Sequence, residues 1–172
     1  MLHLAIPAHV ALWFLPFVLP LCYAAALTDL RGMRIPNCIN DSLGLVYIVV
    51  GLFVMPTWAD YGWQLLHLPI GIAFGFLFYS AGMIGAGDAK FAGAAAPLVA
   101  FADLPALMMI FSANLLAGFV THRLAKYSPL RRLAPDWLSW SVGSKFPMGL
   151  CLGATLSIYL ILGALLGSPA AG

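Results

Sequence analysis

The chain contains no glutamate. Its acids are six aspartates, its bases eight lysines and arginines, and charged residues fill only 8% of 172 positions. So little charge beside 63% hydrophobic residues excludes a soluble domain, which could not hide that much apolar surface at this length. The cysteines Cys22, Cys38 and Cys151 form no CxxC pair, which removes a zinc or disulfide framework and leaves them as apolar filler. The four histidines lack H-x-x-x-H or H-E-x-x-H spacing, so no metal is expected, and no other cofactor or nucleic-acid partner is expected either. What remains, at a mean hydropathy of +0.98, reads as one integral membrane domain over residues 1–172. It should be all-α, because lipid offers backbone groups no partner outside their own helix.

Apolar runs at 5–27, 42–58, 64–82, 106–122 and 147–167 approach the roughly 20 residues of a membrane helix. A sixth, near 89–104, is short and interrupted by Pro97 and Asp103. At its length it would cover about 24 Å of a core near ~30 Å, so its start at Asp88 is expected below the headgroups in a wet cavity. Six helices with both termini outside place 28–41, 83–90 and 123–146 in the cytosol. Those loops hold Arg31, Arg34, Lys90, Arg123, Lys126, Arg131, Arg132 and Lys145, which is every base in the chain. Ala24-Ala25-Ala26 resembles a signal-peptidase site, but cleavage there would leave Arg31 and Arg34 outside, so the run is expected to stay as the first helix. The basic stretch 123–146, with Trp137 and Trp140, fits either a segment lying on the membrane surface or an ordinary loop.

Two aspartates stand inside polar motifs at the ends of apolar runs. Asp29 belongs to T-D-L-R-G-M-R-I-P-N (28–37), expected as a re-entry loop pinned by Ile35-Pro36-Asn37, with Asn37, Asn40 and Asp41 available as helix caps. Asp88 belongs to G-M-I-G-A-G-D-A-K (82–90), a glycine-rich turn opening a helix. An ionisable group at a bilayer edge is expensive and marks a functional site by default, although a charged flank at Asp29 and a hinge at Gly85–Gly87 are the plain alternatives. A phosphate loop does not fit, since no strand precedes the glycines and the Gly-Lys-Ser/Thr order is missing. Lys90 is expected as a headgroup anchor. Asp41, Asp60, Asp103 and Asp136 have no matching motif and are expected in solvated loops.

Taken together, Asp29-x-Arg31-x-x-x-Ile35-Pro36-Asn37, Gly85-x-Gly87-Asp88-x-Lys90 and Lys145-Phe146-Pro147-Met148-Gly149 resemble the type IV prepilin peptidase family of membrane aspartic peptidases. The chain resembles its short form, which serves Flp/Tad-type pili and lacks the N-terminal CxxC domain of larger members; N-methylation of the product is in doubt. Met148 stands where the family often has tyrosine. The resemblance implies that Asp29 and Asp88 are the catalytic pair, supported by Arg31, Pro36, Asn37, Gly85, Gly87, Lys90, Pro147 and Gly149. It implies a prepilin or pseudopilin precursor as substrate, cut after a glycine at the cytosolic face of a bacterial inner membrane, with membrane lipid as the surroundings.

Two carboxyls can share one proton and activate a water. At a helix N-terminus Asp88 is expected as the anion, and Asp29, near the carbonyl end of its helix, as the acid. The rival readings are a small proton- or cation-coupled transporter and a non-catalytic pilus assembly subunit. Both acids at one face, and no polar lining at mid-membrane, count against a transporter.

Overall fold

A computed structural model describes residues 3–143 and 146–169. Among these, six α-helices follow one another up and down: α1 (Ala8–Gly32), α2 (Asn37–Val54), α3 (Trp58–Ser80), α4 (Ala86–Ala95), α5 (Leu104–Lys126) and α6 (Met148–Leu166). Two short strands, β1 (Leu4–Pro7) and β2 (Gly167–Ser168), pair in parallel and join the two ends of the described chain. Five segments are long and apolar enough to cross a membrane: α1, α2, α3, Phe101–Lys126 and α6. The sixth expected helix is the short α4, which ends where Pro97 and Asp103 break the run into 3-10 turns at Ala96–Leu98 and Phe101–Asp103.

The core forms where helical stripes meet. On α1 the buried residues Ala11, Phe14, Val18, Cys22, Ala25 and Asp29 recur every three or four positions, which is one face of the helix. That face lies along Gly149, Gly153, Leu156, Leu160 and Gly163 of α6. Glycine is required in this seam: a Cβ on Gly153 would stand 2.6 Å from the Cys22 carbonyl oxygen. α4 is sealed against α3 in the same way, with Gly75 against the Ala89 carbonyl. α2 packs on α1 and α4, and α5 packs on α6.

At one end a buried carboxylate ties the elements together. Asp103 accepts the backbone N–H groups of Ala5 (2.7 Å) and Ile6 (3.0 Å) and the hydroxyl of Tyr159 (2.8 Å). It is therefore not the solvated loop residue its lack of a motif suggests, because the N–H groups of β1 need an acceptor at this depth. Asp41, Asp60 and Asp136 are exposed as expected, but Asp41 and Asp60 sit within α2 and α3 rather than in loops. Mid-helix polarity is also present, since Asn114 of α5 donates to Thr155 of α6 at 3.0 Å.

The opposite end gathers the three basic segments, and with them seven of the eight lysines and arginines; Lys145 lies outside the described residues. Here the stretch after α5 folds back on the bundle. Leu138–Trp140 packs against α1, and buried Trp140 stacks on His122 with ring centroids 4.9 Å apart.

Candidate active site

Asp29 is the last residue of the α1 core stripe, one turn before the helix stops. The expected re-entry loop therefore begins later: α1 runs on to Gly32, and Met33 closes it in the left-handed conformation (φ 52°), donating its N–H to the Asp29 carbonyl at 2.8 Å. Pro36 then holds an extended backbone (φ −62°, ψ 146°), as the proline predicts, and α2 starts at Asn37 without a side-chain cap from Asn37, Asn40 or Asp41.

The side chain of Asp29 is buried and points across the seam to α6. Its Oδ2 accepts the Gly149 N–H at 2.7 Å. That donor is free because Gly149 is in the first turn of α6, where N–H groups have no partner within the helix. Pro147 precedes the helix and Phe146 lies against His122, so the late Phe-Pro-x-Gly motif presents a backbone donor to the first motif. A Cβ on Gly149 would lie 2.9 Å from Asp29 Cβ and 3.0 Å from both Oδ2 and Ile35 Cδ1, which explains the glycine.

Asp88 occupies the first turn of α4, outside the five long apolar spans. Its carboxylate accepts the Gly85 N–H, the reciprocal half of a capping box. Burial foremost, and then the charge of Asp29, push the Asp88 carboxyl up to about 6, against the opposing Gly85 hydrogen bond. The helix dipole that favours the anion is worth about 0.3–1 kcal/mol, less than the ~1.4 kcal/mol of one pKa unit, so burial and the neighbouring charge win. Burial therefore works against the anionic Asp88 that its place at a helix N-terminus suggests.

Ile35 is the wedge between the two motifs. A Cβ on Gly87 would meet its backbone N and O at 3.2 and 3.3 Å, while its Cδ1 faces Gly149. Two side chains then tie α2 to α4: Lys90 Nζ donates to Asn37 Oδ1 at 2.9 Å, and Asn40 Nδ2 to the Gly87 carbonyl at 3.4 Å. Lys90, exposed, therefore has a protein partner in Asn37 and links α4 to the start of α2. Arg31 is exposed in the last turn of α1, where a cation suits the helix end.

Sequence reasoning offered Asn40 only as a helix cap, whereas it is buried within α2 with its Oδ1 unpartnered. Its spacing was the available signal, since it stands one helical turn beyond Asn37 and on the apolar stripe of α2 with Leu43, Gly44 and Tyr47. Among the described residues no three His, Cys, Asp or Glu side chains gather as metal ligands.

Fold and site together define a helical membrane protein in which the charge of Asp29 reaches Asp88, 59 positions further along the sequence. The type IV leader peptidase family matches residues 6–122, well over half of the chain, and the protein belongs to that family. No curated protein and no solved structure matches it. The family match contains Asp29 and Asp88 and stops before Phe146–Gly149, so the 2.7 Å bond from Gly149 joins the late motif to the matched region.

Proposed function

We propose that the protein is an aspartic endopeptidase that removes the leader of Flp/Tad-like type IV prepilins, with Asp29 and Asp88 as its catalytic pair. The observation that carries this reading is the meeting of three separate motifs in one place: Asp29 is bonded to Gly149, and Ile35 of the first motif is lodged between Gly87 and Gly149. A water held between the carboxyls loses its proton to Asp29 as it attacks the scissile carbonyl. Asp88, which keeps its proton to higher pH than an ordinary carboxyl, hydrogen-bonds the carbonyl oxygen and stabilises the oxyanion. Collapse of the tetrahedral adduct breaks the C–N bond, and the leaving amine takes up the proton. The basic segments gathered at the aspartate end support a cytosolic site in the inner membrane.

Purified protein incubated with a full-length prepilin should release a leader ending in glycine, identified by mass spectrometry. Asp29→Glu and Asp88→Glu should abolish release, because carboxyl geometry matters here as much as charge. A charge relay or a scaffold tolerates such changes; normal processing by both variants would remove the peptidase reading.

A further inference from the structure

The start of α6 is where the late motif meets Asp29, yet no side chain caps that helix end. First-turn N–H groups have no partner within their helix, so their position depends on how the residues leading into it are packed. Pro147 is fully buried, and Phe146 rests on one face of α5. A Cβ on Gly118 would stand 3.3 Å from Phe146 Cζ, and the rings of Phe119 and His122 lie 6.1 and 5.8 Å from the Phe146 ring. His122 also carries Trp140 stacked 4.9 Å away, with 18° between the planes, while Phe146 meets it at 84°. Trp140 is itself fixed: its indole N–H donates to the Ala134 carbonyl at 2.7 Å, and its ring stacks on Trp137 at 5.6 Å. His122 is thus the ring between the stretch that folds back on α1 and the residues that open α6. It is buried, and neither of its ring nitrogens has a hydrogen-bond partner among the described residues.

We infer that His122 is a positioning residue for the catalytic pair: a flat spacer between Trp140 and Phe146 that sets where α6 begins, and so where the Gly149 N–H meets Asp29. The inference rests on the proposed peptidase function and adds to it a residue outside the three motifs. Buried polar atoms are normally paired, so two unpartnered nitrogens mean that the imidazole serves through its ring and takes no part in proton transfer. Aromatic pairs hold set distances and angles, which an aliphatic side chain of the same bulk does not impose. The far end of this chain of contacts is sensitive, since a displacement near 1 Å at a reacting group costs about 100-fold in rate. Were His122 only core filler, its loss would lower stability and leave the rate per folded molecule unchanged.

The test uses the full chain in detergent with a full-length prepilin, and rates are normalised to protein that unfolds cooperatively on heating. His122→Ala should lower kcat about tenfold or more while KM changes no more than about threefold, because the Asp29 donor moves and the substrate contacts stay. His122→Phe keeps the flat ring and removes only the unpartnered nitrogens, so kcat should stay within about threefold of wild type. Should His122→Ala yield no folded protein, His122→Leu, similar in bulk but not planar, reads the same loss. His122→Ala combined with Gly149→Ala should lose no more than about threefold beyond Gly149→Ala alone, because both disturb one hydrogen bond. Leu160→Ala, a buried change further along α6, should cost stability and keep kcat. A wild-type kcat in His122→Ala and His122→Leu, losses that multiply with Gly149→Ala, or His122→Phe as impaired as His122→Ala would overturn the inference. The two claims fail separately: if Asp88→Asn abolishes cleavage and the His122 variants run at the wild-type rate, the pair stands and the spacer falls. If Asp88→Asn cleaves normally, the peptidase assignment itself falls.

Discussion

Gly149→Ala is the sharpest perturbation the structure offers, because it adds one methyl group at the point where the late motif meets Asp29. The new Cβ would stand 2.9 Å from Asp29 Cβ and 3.0 Å from Oδ2, against an ordinary carbon contact of about 3.5–4.0 Å. Relief requires Asp29 to retreat by roughly 0.6–1.1 Å, since α6 is held along its length by α1. A displacement near 1 Å at a reacting group costs about 100-fold in rate, or ~2.7 kcal/mol of barrier. Overpacking a seam also costs about 1–3 kcal/mol of stability, so the two effects need separating. Gly153→Ala separates them, because its Cβ would meet the Cys22 carbonyl at 2.6 Å in the same seam without touching Asp29. The assay is the initial rate of prepilin cleavage in detergent, normalised to protein that unfolds cooperatively on heating. Gly149→Ala should lose about two orders of magnitude per folded molecule, while Gly153→Ala should lose stability and keep its rate. Equal losses per folded molecule in both variants, or a wild-type rate in Gly149→Ala, would refute the reasoning.

The raised Asp88 carboxyl sets two pH responses. kcat/KM should decline above about pH 6 as the shared proton leaves, and a profile flat to pH 10 removes the shared-proton mechanism. For stability, the folded state holds this proton between the ordinary value of 3.8 and about 6, so the contribution of Asp88 is full below that window and lost as pH rises through it. Asp88→Asn should therefore flatten the fall in unfolding temperature across that range, and an unchanged fall assigns it elsewhere. Asn40→Ala releases the Gly87 carbonyl from a long 3.4 Å hydrogen bond, and kcat should drop about threefold, at the lower end of a neutral hydrogen bond's worth; no change would deny Asn40 a role in holding the glycine turn. Asp103→Asn leaves two backbone N–H groups competing for one oxygen at the opposite end of the bundle. It should destabilise the fold by about 3 kcal/mol in chemical denaturation while the rate per folded molecule holds, and a selective loss of rate would contradict its purely structural place.

The membrane class, the helix order and the grouping of the motifs were readable because they depend on local quantities: run length, hydropathy and the placement of a few charges. Asp29 was legible as a candidate, yet its setting was misjudged, since the end of α1 is fixed by the left-handed Met33 rather than by the first polar residue. Reading the stripe Ala11, Phe14, Val18, Cys22, Ala25 onward reaches Asp29 and shows that it faces the core. The environment of its carboxyl was not readable, because the Gly149 donor comes from 120 positions away. Asp103 failed for the same reason: its partners belong to β1 and α6, and no local pattern announces them. Trp140 shows a further limit, since a tryptophan among basic residues suits a membrane surface, whereas here it is buried against His122.

The central claim is that Asp29 and Asp88 act as one catalytic unit, and processing of a co-expressed prepilin, read by gel shift, tests it most directly. Asp29→Asn and Asp88→Asn should each accumulate in the membrane at the wild-type level and leave the precursor at full length. Normal processing by either variant would contradict the account and show that the aspartate in question does no chemistry.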